Sequence, residues 1–219
     1  MGLRNGTDAK TVYVKVKNGK FYLATDKELT SPYSELFGIV TDMYLKDEEY
    51  MNISSRKFYI VLEDEGERYI IGFNIESSYT SSILTFLMNA DLSKPLTLHP
   101  REKNEIGKDG KEKLRRSILI SQEGKFLKAY FTRETPNGLP EMQKIERRGG
   151  KIEWNKDAVL DFYEDLILNR LRPKVEGNKA KVSSVPHIQA VPSGDSVKPE
   201  PTVKTPWDDE DDVAEDLPF

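Results

Sequence analysis

Residues 11–24 read TVYVKVKNGKFYLA, and this stretch decides how the fold begins. Within it, three valines alternate with Tyr13, Lys15 and Lys17, which places the apolar and polar sets on opposite faces of one strand. Asn18-Gly19 is a dipeptide typical of a two-residue hairpin turn, and residues 21–24 supply a second apolar run. The stretch therefore predicts a β-hairpin with one buried face.

The rest of the first 172 residues also consists mainly of predicted strands. Runs rich in β-branched and aromatic residues predict strands over 36–45, 56–63 and 68–75, with a hairpin turn at Glu65-Gly66. Two later strands are predicted over 115–122 and 125–132. Apolar residues at helical spacing predict helices over 79–91 and 155–171, the second with Asn155 as its N-cap. The charged loop over 99–114 is expected to be mobile.

This order of elements predicts a mainly β fold with two helices. An OB-like, five-stranded antiparallel Greek-key barrel fits it, and other small barrels or sandwiches fit nearly as well. Residues 1–9 are expected to be a flexible N-terminus and 10–172 the folded domain. Residues 173–206 contain six prolines and no aromatic residue, which predicts a disordered linker. Residues 207–219 form a separate acidic tip.

Composition excludes several classes of site. The chain has no cysteine and two histidines that lie far apart, so neither a thiolate metal site nor a cysteine nucleophile is available. No phosphate-binding loop or nucleophile elbow occurs. We therefore expect no enzyme activity, no metal and no cofactor. No stretch has the apolar length of a signal peptide or a membrane span, which predicts a soluble, cytoplasmic protein with no membrane partner.

Charge is unevenly distributed along the chain. The net charge is −4, yet residues 101–151 hold 14 basic and 8 acidic side chains, a local charge of +6. From Pro173 onward there are 5 basic and 10 acidic residues, a local charge of −5. A basic segment followed by an acidic end is typical of proteins that act on nucleic acids.

Three predicted strands interleave aromatic rings with cations on one face. Bases of a single strand can stack on such rings while the cations meet phosphates. The ordinary alternative is that these rings are packing residues at strand edges. The candidate DNA-binding residues are Tyr13, Lys15, Lys17, Lys57, Tyr59, Arg115, Arg116, Phe126, Lys128 and Tyr130. The basic loop 108–113 would add electrostatic attraction for the DNA.

The chain ends WDDEDDVAEDLPF, with seven acids in the nine residues 208–216. A terminal Phe offers a ring that can bind in an apolar pocket and a carboxylate that can bind basic side chains or backbone amides. Pro218 restricts the backbone conformation before it. The acids would steer this segment toward basic partner surfaces. The candidate partner-binding residues are Trp207, Asp208, Asp209, Asp211, Asp212, Asp216, Leu217, Pro218 and Phe219.

This ending resembles the acidic tip of single-stranded DNA-binding proteins from bacteria and tailed phages. Asp216-Leu217-Pro218-Phe219 matches that tip with Leu where bacterial proteins usually have Ile. The body lacks the signature of the bacterial tetramer, so the resemblance favours the phage-encoded type with one OB domain per chain, working in the host cytoplasm. It implies sequence-independent coating of single-stranded DNA in replication, recombination and repair. It also implies recruitment of polymerase, helicase, primase or nuclease by the tip.

Two other functions stay open on the residues alone. An adaptor would dock one protein on the β-domain and another on the tail, without binding DNA. An enzyme of nucleic-acid metabolism would use dispersed carboxylates with Mg²⁺. Homo-oligomerisation is compatible with each of these functions.

Overall fold

The computed structural model describes residues 10–106, 112–148 and 151–178. The predicted N-terminus 1–9, most of the linker and the acidic tip lie outside the described residues. No helix in the described ranges is both long and apolar enough to cross a membrane.

The predicted first hairpin is confirmed. Strand β1 (Lys10–Lys17) pairs antiparallel with β2 (Lys20–Leu23). Asn18 and Gly19 both have positive φ, 50° and 63°, as a type I′ turn requires. Val14 and Phe21 face the core and are buried, so the alternation read from the sequence gives the correct buried face.

The next three strands form an antiparallel meander, and they are longer than predicted. They are β3 (Leu36–Tyr50), β4 (Ile53–Asp64) and β5 (Glu67–Asn74). The predicted turn at Glu65-Gly66 is confirmed. Beyond the predicted end at residue 45, the β3–β4 hairpin continues through a second tight turn at Met51-Asn52, where both residues have positive φ.

A parallel pairing joins the first hairpin to this meander. β1 pairs with β5 in parallel, with Tyr13 opposite Ile70 and Val14 opposite Ile71. The prediction of a purely antiparallel arrangement is therefore wrong. Pairing preferences between distant strands depend on which faces can be buried together, which a local pattern does not specify.

Three more strands extend the sheet on the other side. β6 (Leu96–Ile106), β7 (Glu112–Gln122) and β8 (Lys125–Phe126) follow β3, giving the order β2-β1-β5-β4-β3-β6-β7-β8. Only Leu36–Gly38 of β3 pair with β6, before a bulge between Val40 and Asp42. In the described part of the chain the sheet is open and mixed, because β2 and β8 remain its edges. The expectation of a five-stranded barrel is not met.

The predicted mobile loop 99–114 is largely strand. Residues up to Ile106 belong to β6, and β7 begins at Glu112. The charged residues and Pro100 of this segment are typical of a loop, so the sequence does not indicate the β6–β7 hairpin. Pro100 is nevertheless buried opposite Ile118, at a place where β6 pairs with β7 and has left β3. A proline is tolerated where one side of a strand is unpaired.

The first predicted helix is confirmed with an earlier end. Helix α1 spans Ser78–Leu87, and the Ser77 hydroxyl accepts the N–H of Thr80 as an N-cap. Its buried side packs on β7, where Ser82 Oγ accepts the backbone N–H of Ile118 at 2.8 Å.

The closing helix is longer than predicted. It runs through α2 (Asp157–Asp165), a π-helical stretch (Leu166–Leu171) and α3 (Arg172–Val175). The N-cap of α2 is Lys156 rather than the predicted Asn155, which ends β10 two residues before the helix and whose Oδ1 accepts the N–H of Asp157 at 2.8 Å. The expected domain boundary at 172 must move, because Val175 is fully buried. Asn178 is also buried and donates to the backbone oxygens of Val40 and Leu92.

Two further differences concern the end of the domain. A separate two-stranded ribbon, β9 (Gln143–Arg147) with β10 (Lys151–Asn155), was not predicted. The predicted strand 125–132 ends at Phe126, and the chain then leaves the sheet to run beside α1. There Tyr130 donates its backbone N–H to Thr85 O at 3.0 Å.

The core lies between one face of the main sheet and the helices. That face carries large, fully buried side chains from several strands, and α1 and the π-helical stretch cover them. Burial of this apolar surface is the main stabilising contribution. Its central members are Phe21, Met43, Phe58, Ile60, Leu62, Ile71, Leu84, Leu87, Ile167 and Leu171.

Candidate nucleic-acid interface

The opposite side of the main sheet carries two of the three tyrosines that the sequence singled out, Tyr13 and Tyr59. We call it the outer face, defined by Tyr13, Tyr44 and Tyr59 with their neighbours on β1, β3, β4 and β5. Strand register puts Tyr59 opposite Tyr44 on one side and Gly72 on the other. Tyr13 lies opposite Ile70. The cations on this face are Lys15, Lys17, Lys46, Lys57 and Arg68.

Strand β1 presents its three predicted residues on the outer face with different accessibility. Tyr13 is 58% exposed and Lys17 is exposed. Lys15 is half-buried, and its Nζ donates to the backbone oxygen of Asp26 at 2.6 Å. Tyr13 and Lys17 are therefore the more accessible side chains of this strand, whereas Lys15 also stabilises the loop after β2.

Tyr44 and Tyr59 form a stacked pair. Their ring centroids lie 5.0 Å apart, with the ring planes 13° from parallel. The Tyr59 ring also lies directly over Gly72, where an added Cβ would come within 2.5 Å of its Cε1. The pair forms a flat aromatic platform, in which the Tyr59 ring packs between Gly72 and Tyr44 and one side of the Tyr44 ring is used for packing.

Glu48 connects the platform to two lysines. It accepts a hydrogen bond from the Tyr59 hydroxyl, and its other oxygen lies 2.5 Å from Lys57 Nζ. Lys46 Nζ is 3.5 Å away. The hydrogen bond from Lys57, followed by that from Tyr59, lowers the pKa of Glu48 to about 2. Lys57 and Tyr59 are thus held by a carboxylate that a nucleic-acid phosphate would have to displace.

Tyr59 remains a neutral donor. Burial, and next the hydrogen bond to the Glu48 carboxylate, raise its pKa above the ordinary value of 10.0. The pKa of Tyr44 is shifted the same way, mainly by burial. Neither phenol adds negative charge to the outer face at physiological pH.

The outer face continues onto β6, β7 and β8 around Phe126. The His99 ring lies 5.1 Å from that of Phe126, and the Arg101 guanidinium lies over the Phe126 ring at 5.8 Å. Further along β7, Arg115 lies opposite Lys103, with its Nη1 3.2 Å from Glu105 Oε2. This is a second group of rings and cations on the same side of the sheet.

Three predicted residues are not on this surface. Arg116 follows Arg115 in β7 and so lies on the other face, with Nε 3.6 Å from Glu102. Lys128 and Tyr130 come after β8 has ended. Lys128 is exposed in irregular chain. The Tyr130 ring packs edge-on against Phe131, with centroids 5.0 Å apart. The expected Phe126-x-Lys128-x-Tyr130 face does not exist, because it required a longer strand.

Sequence reasoning missed Tyr44, Lys46, His99 and Arg101. Tyr44-x-Lys46 has the same aromatic-x-cation spacing as the predicted pairs, but the strand was expected to end at residue 45. His99 and Arg101 fall in the segment taken for a loop. A longer β3 and recognition of β6 would have revealed them.

The acidic tip and residues 107–111 lie outside the described residues, so their predicted roles remain predictions. Within the ranges that the structure describes, no group of three or more histidine or carboxylate side chains is arranged to hold a metal ion.

Comparison with protein-family models, curated protein sequences and solved structures gives no significant match to this chain.

Proposed function

We propose that this protein binds single-stranded DNA without sequence specificity, in replication, recombination and repair, and recruits replication proteins through its acidic C-terminal tip. The proposal includes no catalytic step. The observation that supports it is the outer face, where tyrosines and cations occupy neighbouring strands of one sheet. Every base has a π-face, so stacking on such rings tolerates any sequence, and the cations follow the phosphate backbone.

The exposure and the contacts of these side chains support a different role in DNA binding for each. Tyr13, the most exposed of the three tyrosines, is the first stacking position. The Tyr44–Tyr59 pair is a pre-formed platform that offers a base the side of the Tyr44 ring facing away from Tyr59. Lys17 and Lys46 are exposed and supply phosphate contacts, while Lys57 exchanges Glu48 for phosphate when DNA binds.

The acidic tip resembles that of single-stranded DNA-binding proteins, and we infer that it also regulates DNA binding. Its negative charge would compete with DNA for the basic surface and would be free for partner proteins once DNA is bound. Removing the residues after Asn178 should therefore strengthen DNA binding. The cut follows Asn178 rather than Arg172, since residues up to Asn178 are part of the packed domain.

The test is fluorescence anisotropy of a labelled oligo-dT, titrated with the full chain and with the chain ending at Asn178, at two salt concentrations. We expect binding by both, weakened by salt and stronger for the shorter chain. A duplex of equal length should bind more weakly. Absence of binding by both chains would contradict the proposal.

One observation favours an adaptor instead. Met51 and Ile53 at the β3–β4 turn are 76% and 70% exposed, next to the acidic residues Asp47 and Glu49. An apolar tip beside carboxylates suits a basic protein partner better than DNA. If oligo-dT does not bind, capture of a partner that is abolished by Met51→Ser would support this alternative.

A further inference from the structure

The β9–β10 ribbon stands apart from the main sheet. Its two strands pair with each other, and every residue of β9 is exposed. A two-stranded ribbon has no core of its own and is at best marginally stable alone. Its side chains are therefore available to a ligand, and they contribute little to the folded domain.

One face of the ribbon is unusually apolar for an exposed element. Trp154 is 55% exposed and Ile152 is 48% exposed. Both lie on the same face, because they alternate along β10. Large apolar side chains grouped at the surface mark binding sites, and a tryptophan offers the largest ring for stacking.

The ribbon is also basic. Residues 143–156 contain Lys144, Arg147, Arg148, Lys151 and Lys156, against Glu146 and Glu153. The two carboxylates engage cations of the ribbon, at 2.8 Å from Lys144 and 2.6 Å from Arg147. The cations outnumber the carboxylates, so the ribbon retains a positive charge that complements phosphate.

A cation lies beside the exposed ring. Lys144 is the cross-strand partner of Trp154, which places their Cβ atoms about 5 Å apart. Alternation along β9 puts Arg148, just past its end, on the same side as Lys144 but about 13 Å away. Glu146 lies between these two cations on that face, opposite Ile152, and pairs with Lys144. A ring beside a cation has the chemistry that a nucleotide requires: a surface on which the base stacks and a positive charge for the adjoining phosphate.

We propose that the β9–β10 ribbon is a second binding site for single-stranded DNA, in which Trp154 stacks on a base, Lys144 contacts the adjoining phosphate and Arg148 contacts a phosphate further along the strand. This inference rests on the proposed function and adds a contact outside the outer face of the main sheet. A second copy of this ribbon would carry the same positive charge, so charge disfavours pairing of two ribbons and favours nucleic acid as the occupant.

The chain has two tryptophans, Trp154 and Trp207, which permits a direct test. The Trp207→Phe variant leaves Trp154 as the sole tryptophan. Unlabelled oligo-dT is titrated into it while tryptophan emission is recorded, and anisotropy of a labelled oligo-dT reports binding in parallel. We expect quenching that saturates with the same midpoint as the anisotropy and is reversed by salt.

The outcomes separate this inference from the proposed function. Binding seen by anisotropy without a change in emission overturns the ribbon site and leaves the proposed function standing. Absence of binding by anisotropy overturns both. Quenching that follows protein concentration rather than DNA concentration would indicate self-association through the ribbon, and would overturn the inference.

Substitutions provide an independent measurement. Trp154→Ala should weaken oligo-dT binding by about 5- to 100-fold, the range for one stacked base, while Trp154→Phe should retain most of the affinity. The double variant Lys144→Ala, Arg148→Ala should reduce the slope of log K against log salt by about 0.7 for each phosphate that the protein no longer neutralises. Lys94→Ala, on the turn before β6, is the matched control and should leave the slope unchanged. Equal affinity of Trp154→Ala and wild type would refute the site.

Discussion

The ring of Tyr59 lies on the backbone of Gly72, so closely that a Cβ at Gly72 would approach Tyr59 Cε1 to 2.5 Å and Cζ to 2.9 Å. A glycine at this position of β5 leaves a gap in the outer face, and the ring of the neighbouring strand fills it. The same ring stacks on Tyr44. The missing side chain on β5 thus orients the aromatic platform of the candidate site.

Gly72→Ala should displace the Tyr59 ring and destabilise the fold. Overpacking of this kind costs about 1–3 kcal/mol, measurable by urea unfolding. Gly177→Ala is the matched control, because nothing lies within 4 Å of a Cβ at Gly177, and its stability should equal that of wild type. Equal unfolding midpoints for the two variants would show that Tyr59 moves aside freely.

Glu48→Gln should lower stability at neutral pH by about 1 kcal/mol, since much of the ion-pair energy is screened by water. The folded-state pKa of Glu48 is about 2 and its ordinary value is 4.5. A depressed pKa contributes stability above pH 4.5 that is lost as the pH falls toward 2. The difference between wild type and variant should therefore shrink across that window, as unfolding at several pH values would show. Glu49→Gln, the same substitution at an exposed position of the same strand, serves as control for the loss of a surface carboxylate.

The same Glu48→Gln substitution should strengthen single-stranded DNA binding. It removes a carboxylate from the outer face and frees Lys46 and Lys57 for phosphate, so we expect an affinity gain of about 2- to 10-fold at low salt. Anisotropy with oligo-dT measures it. Weaker binding would mean that Glu48 is needed to position Tyr59 for stacking.

Tyr13→Ala should weaken oligo-dT binding by about 5- to 100-fold, because one base loses its stacking partner. Tyr13→Phe keeps the ring and should bind nearly as wild type. Tyr33→Ala is a matched control, since Tyr33 is similarly exposed, at 49%, but lies in the groove beside Val12 and Phe21. If Tyr13→Ala and Tyr33→Ala bind alike, the outer face is not where the bases stack.

A chain ending at Arg172 should be less stable than one ending at Asn178. The shorter chain lacks the buried Val175 side chain and both hydrogen bonds of Asn178. Together these are worth about 2–4 kcal/mol, which thermal unfolding would detect as a lower Tm. The same Tm for both chains would place the domain boundary at 172.

The sequence was most informative where a pattern is local. The Asn18-Gly19 and Glu65-Gly66 turns and helix α1 could all be predicted, because turn conformation and side-chain periodicity act between near neighbours. β6 was missed, since its charged residues and Pro100 imitate a loop. The β9–β10 ribbon was missed as well, because its strands are only five residues long and bury little.

By itself the sequence determined which residues form the first hairpin and meander, and that Tyr13, Lys15 and Lys17 share a face, because alternation in a strand is a property of the backbone. Only the tertiary structure decided how accessible each of these side chains is to a ligand. It paired β1 with β5 and laid Tyr59 between Gly72 and Tyr44. It also paired Lys57 with Glu48. Such contacts join residues from different strands, and their energies depend on distance and burial that no local pattern encodes.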